Sequence, residues 1–140
     1  MALTAKPRPG ENMRLLDALG YRLPLAGVVS ILHRASGGLM FMLMPFIIWM
    51  FDTSLSSEIT YSQFVALFIG GVGFIPGWFF KLIVLALIWA YLHHFIAGVR
   101  HLWMDATHSV SKEFGHSSAV VTLALSVVLT VILGLKLFFF

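Results

Sequence analysis

The chain has no cysteine in its 140 residues, only 11% charged residues and only six acidic side chains. The first absence excludes disulfides and every thiolate ligand, whether to haem iron or to an iron–sulfur cluster. The second excludes a soluble domain, whose surface needs about a quarter of its residues charged. With 59% hydrophobic residues and a mean hydropathy of +0.94, the chain reads as an all-α integral membrane protein. It also lacks a repeat, a low-complexity tract, a Gly-rich phosphate loop and a basic nucleic-acid patch, which sets aside nucleotide and nucleic-acid partners. Met1 to Gly10 has no apolar core or small-residue cleavage pattern, and Pro7, Pro9, Glu11 and Asp17 do not suit a transit peptide. The expected setting is therefore the cytoplasmic (inner) membrane of a bacterium.

Long apolar runs are what the chain has in quantity. Residues 30–51 and 119–140 are each long enough to cross about 30 Å of hydrocarbon, and residues 78–104 form a third span whose apolar centre ends in polar chemistry. These runs predict a three-helix bundle. Residues 1–29 form an N-terminal segment and residues 105–118 a loop on the cytoplasmic side, while residues 52–77 connect the first two spans on the outer side. Within that connection Phe64 to Phe74 is apolar but broken by Gly70, Gly71 and Gly73 and stopped by Pro76, which predicts an interfacial segment rather than a span. Lys6, Arg8, Arg14, Arg22 and Arg34 precede or open the first span, and Arg100 and Lys112 flank the loop between the second and third. The positive-inside rule then places the N-terminus in the cytoplasm.

Two polar clusters interrupt the apolar pattern. The first is the run from His93 to Asp105, in which His94, Gly98, His101 and Asp105 follow steps of four, three and four and share one helical stripe. Ionisable groups in a membrane helix cost several kcal/mol unless they serve a site. A histidine followed one turn later by glycine suits a flat, metal-bearing cofactor, with imidazole for the metal and no side chain under the ring. The second cluster, Ser30-Ile31-Leu32-His33-Arg34-Ala35-Ser36-Gly37-Gly38, opens the first span. The topology brings it to the same membrane depth as His94. Met40, Met42 and Met44 alternate over different faces and read as packing residues. Trp49, Trp78, Tyr61 and Trp103 read as aromatic-belt residues, and His108 and His116 as solvated loop residues.

These residues carry a resemblance. Arg8-Pro9 followed by Ser30-Ile31-Leu32-His33-Arg34-Ala35-Ser36-Gly37, then His94, Gly98, Val99, Arg100, His101, Leu102, Met104 and Asp105, resembles the cytochrome b membrane-anchor subunit of succinate dehydrogenase (respiratory complex II), the larger of its two hydrophobic subunits. Thr53-Ser54-Leu55-Ser56-Ser57 is similar to bacterial members, whereas Gly10 departs from the aliphatic residue usual there. The resemblance implies that the chain pairs with a second small hydrophobic subunit and that the two share one haem b, each supplying an axial histidine. His94 would be this chain's ligand to the haem iron, since it and not His93 stands four residues before Gly98, against which the haem would pack. His33, Arg34 and, more weakly, His101 would face the propionates.

The resemblance further implies a ubiquinone bound beneath the iron–sulfur subunit and contacted by Ser30 and Arg34. Ser30 can donate to a quinone carbonyl, and the guanidinium of Arg34 stabilises negative charge in low dielectric. Succinate and flavin chemistry would reside in the flavoprotein subunit. Other readings stay open at single positions. His94 can be a buried histidine hydrogen-bonded to a neighbouring helix, Ser30 can cap or back-bond the first helix, Arg34 can be a positive-inside anchor, His101 can be an interfacial residue, and Asp105 can pair with Arg100 or His101. At the level of function the alternatives are the anchor of a fumarate reductase and a small non-redox membrane protein.

Overall fold

A computed structural model describes residues 23–139. The Arg8-Pro9 motif, Gly10, the cationic Lys6, Arg14 and Arg22, and the terminal Phe140 lie outside the described residues. The described chain is helical throughout: α1 (Leu25–Met42), α2 (Met44–Leu55), α3 (Glu58–Gly70), α4 (Gly77–Thr107) and α5 (Lys112–Phe139). Of these, α1, α4 and α5 are long and apolar enough to cross a membrane.

Pro24, extended at φ −62° and ψ 150°, caps α1, and its carbonyl accepts from the N–H of Gly27 at 2.8 Å. A proline just ahead of an apolar run is a start signal, because its missing N–H would be unpaired there anyway. Helix therefore begins before the Ser30 expected from hydropathy, and Ser30 lies inside α1 and does not cap it. The helix breaks at Leu43, where Pro45 near the start of α2 removes one N–H from the ladder. In the last turn of α2, Thr53, Ser54 and Ser56 return their hydroxyls to the carbonyls of Trp49, Phe51 and Asp52.

Ser57 then opens α3 with a capping box: its hydroxyl accepts from Thr60 N–H at 3.1 Å, and Thr60 Oγ1 accepts from Ser57 N–H at 3.0 Å. With 13 residues, α3 is about 20 Å long, too short to span. Gly71, at φ +83°, ends it. A side chain there would run into the carbonyl of Ile75, which pairs with Val72 across the tight turn into α4.

The turn between α4 and α5 corrects a boundary. Residues 105–118 were expected as loop, but α4 continues to Thr107, closed by His108 in the left-handed conformation at φ 53°, and α5 starts at Lys112. Ser111 accepts from Phe114 N–H at 3.1 Å at that start. The opening turns of α5 are polar (Lys112, Glu113, His116, Ser117, Ser118), so hydropathy places its beginning too late. His116 is consequently helical, though exposed as expected, and His108 is exposed in the turn.

The three long helices run up, down and up, with α4 packed on both others. Val29, Ala97 and Ala119, all fully buried, meet where they converge. Two of those three are alanines, which let helix backbones approach closely where lipid supplies no hydrophobic drive. Thr122, Ser126 and Thr130 return their hydroxyls to carbonyls within α5, so these polar groups are satisfied in an apolar setting.

Candidate functional site

The site forms where the middle of α1 meets the second half of α4. Ala90, His93, Ala97 and Arg100 are the buried face of this part of α4. The neighbouring stripe, His94, Gly98 and His101, is half-buried and turns to α1. His94 Nδ1 lies 2.9 Å from the carbonyl oxygen of His33 and 3.4 Å from Ser36 Oγ. Ser36 itself donates to the His33 carbonyl at 2.9 Å. Because a carbonyl only accepts, the network assigns the proton to Nδ1 and leaves the lone pair of neutral His94 on Nε2.

The ring of His33 stacks on that of His94 with centroids 4.1 Å apart and planes at 12°. His101 lies on the other side, its centroid 5.2 Å from His33 and its plane tilted by 58°. A methyl group at Gly37 would come within 2.9 Å of His94 Cε1, whereas one at Gly98 would lie 3.5 Å from His33 Nε2. Gly37 is thus what lets α1 approach the His94 ring, and Gly98 leaves a shelf over which a flat ring lies, here that of His33. Among the described residues no three His, Asp or Glu side chains converge as metal-ion ligands. The stacked imidazoles offer each other ring faces rather than lone pairs, so His94 stands as a single donor.

The structure therefore brings together His33, His94, Gly98 and His101. Ser30 is half-buried and Arg34 exposed, and the hydrogen bonds of the cluster run through His33 and Ser36 instead. Ser36 and Gly37 are the contributions that sequence reading did not assign. For Ser36 the signal was available, since it lies one turn after His33.

Two further polar residues face α5. His93 is fully buried, with Nδ1 3.3 Å from Ser126 Oγ and its ring stacked on Trp89 at 5.5 Å. Its Nε2 is buried with no hydrogen-bond partner among the described residues. Arg100 donates from Nε to Ser118 Oγ at 2.9 Å and from a terminal nitrogen to the Gly115 carbonyl at 3.2 Å. These bonds, rather than one to Asp105, anchor it, because early helix in α5 brings Ser118 and Gly115 within reach.

Comparison with known proteins agrees with this architecture. Residues 10–133 match the family described as succinate dehydrogenase/fumarate reductase transmembrane subunit. The succinate dehydrogenase cytochrome b556 subunit of Paracoccus denitrificans is 31% identical over 120 residues, covering 86% of this chain and 87% of that protein. The subunit of the same name from Coxiella burnetii is 30% identical over 119 residues, covering 85% and 90%. With its three apolar helices, the chain belongs to the family of transmembrane cytochrome b anchor subunits of succinate dehydrogenase and fumarate reductase.

Proposed function

We propose that this chain anchors a succinate:ubiquinone oxidoreductase in the cytoplasmic membrane of a bacterium, supplies one axial ligand to a haem b shared with a second small hydrophobic subunit, and forms part of the quinone-reduction site. The observation that carries the reading is the His94 ring, clamped through Nδ1 to the His33 carbonyl at 2.9 Å with Nε2 left as the donor. A metal-bound histidine needs this second hydrogen bond to fix its tautomer and ring orientation. Gly98 gives a flat shelf, covered here by the His33 ring, that a macrocycle would take with His33 turned aside, and the donor set fits the group. The names of the two relatives, both cytochrome b556 subunits, support it.

A bound haem b would supply one-electron redox chemistry. The chain's own residues do the positioning. Gly37 and Ser36 hold the imidazole from the α1 side, while His33, once turned off the ring face it covers here, and His101 would donate to propionate oxygens. Arg34, exposed one turn beyond Ser30, adds a permanent charge for a propionate or for a quinone gaining electrons. Ser30 donates a hydrogen bond to a quinone carbonyl. The iron–sulfur subunit delivers electrons, and the flavoprotein subunit carries out succinate oxidation.

The test is a reduced-minus-oxidised visible spectrum of the complex purified through this chain, with succinate-dependent ubiquinone reduction assayed alongside. A b-type band and quinone reduction are expected. Ser30→Ala and Arg34→Ala should lower quinone reduction while succinate oxidation by a soluble artificial acceptor continues. A preparation without haem or copurifying flavoprotein overturns the reading, and a preference for menaquinol-driven fumarate reduction reassigns the direction of the reaction.

A further inference from the structure

Arg100 is a charge without a counter-charge. It is 8% exposed on a membrane-spanning helix, and its two hydrogen-bond acceptors, Ser118 Oγ and the Gly115 carbonyl, are both neutral. Among the described residues no carboxylate acts on it. A guanidinium has five N–H donors, so most of its fork is still unused. A buried cation left in this condition is costly, and breaking or omitting its partner is what makes such groups destabilising.

The same side chain lines a groove of about 440 Å³ between α4 and α5, whose other walls include Ile96, Val99, Trp103, Phe114 and Val121. The groove opens outward, since Val99, Trp103 and Val121 are at least half exposed. It lies on the α5 side of α4, apart from the stripe that turns His94 to α1. Its depth is also informative. At 31 residues, α4 is about 46 Å long, comparable to a bilayer with its headgroups at about 40–45 Å. Arg100 lies about 10 Å from the end of that helix, near the boundary between headgroups and hydrocarbon. The start of α5, with the positive end of its dipole, lies beside it.

We propose that this groove binds one anionic phospholipid, with a phosphate oxygen pair on the free N–H groups of Arg100 and an acyl chain along Ile96, Val99 and Val121. The planar fork matches a phosphate bidentately, and apolar walls beside a charged floor complement a molecule with both characters. A free phosphate would satisfy the charge but leave those walls uncovered.

The test uses the intact complex purified through this chain, stripped of loosely held lipid and placed in nanodiscs of phosphatidylcholine with or without phosphatidylglycerol. Native mass spectrometry and thermal unfolding are the readouts. Wild type should retain a phosphatidylglycerol adduct and unfold at higher temperature with that lipid, with no comparable gain from inorganic phosphate. Val121→Trp, which fills the exposed groove and leaves every charge in place, should carry one such adduct fewer while keeping the wild-type visible spectrum. Arg100→Gln should show the same loss. Equal retention of phosphatidylcholine, an unchanged adduct count in Val121→Trp, or equal stabilisation by inorganic phosphate would overturn the proposal.

Discussion

Between the middle of α1 and the second half of α4, the bundle holds the His33 carbonyl and the side chains of His93, His94 and Arg100, each beside a hydroxyl or a carbonyl of another helix or its own. Toward the opposite end α1, α2 and α4 line one groove with Met40, Ile47, Met50 and Leu87, and α4 and α5 line another with Leu85, Val131 and Gly134. Both ends are helical and contain close-packed small residues. They differ in what the small residues make room for: at Gly37 a histidine ring held by a hydrogen bond, at Gly134 the flexible tip of Leu85. The apolar end satisfies the membrane, and the polar end imposes orientation, because each buried polar group has few partners that satisfy it.

That contrast can be broken by substitution at either end. The largest effect is expected at Ser118→Ala, which strips Arg100 Nε of its acceptor and should cost about 1.5–3 kcal/mol, seen as a lower thermal midpoint of the complex. Gly37→Ala should follow at about 1–3 kcal/mol, and it should also reduce haem content in the visible spectrum, since its methyl group meets the His94 ring at 2.9 Å. Ser126→Ala removes the hydroxyl beside His93 Nδ1 and should lower stability by about 1 kcal/mol while leaving the haem band intact. The smallest effect is expected for Gly134→Ala. Its methyl would meet Leu85 Cδ1 at 2.8 Å, but that side chain can rotate, and alanine's better helix propensity of about 1 kcal/mol offsets the strain. If Gly134→Ala depleted haem as strongly as Gly37→Ala, the two ends would not be functionally distinct.

Much of this was legible in the residues. The three spans follow from length and hydropathy, and the helical period separates His94 from His93 before any coordinates do: one turns to α1 and the other to Ser126 of α5. The approach of His33 to His94 follows from charge-derived topology, which placed both clusters at one depth. Less legible was everything that depends on polar helix. The opening turns of α5 carry Lys112, Glu113 and His116, so hydropathy hides them, and with them the Arg100 anchorage. The start of α1 was signalled by Pro24 and the break by Pro45, cues that outweigh hydropathy at helix ends. No composition or spacing argument could show that Gly37, rather than Gly38, meets the imidazole, because that depends on how far α1 is rotated about its axis.

The central claim is that His94 and not its neighbour is the haem ligand, and the most direct measurement compares reduced-minus-oxidised spectra of complexes carrying His94→Leu and His93→Leu. Loss of the b-type band in His94→Leu with retention in His93→Leu is the predicted result. A full band in His94→Leu, or its loss in His93→Leu alone, would contradict the account.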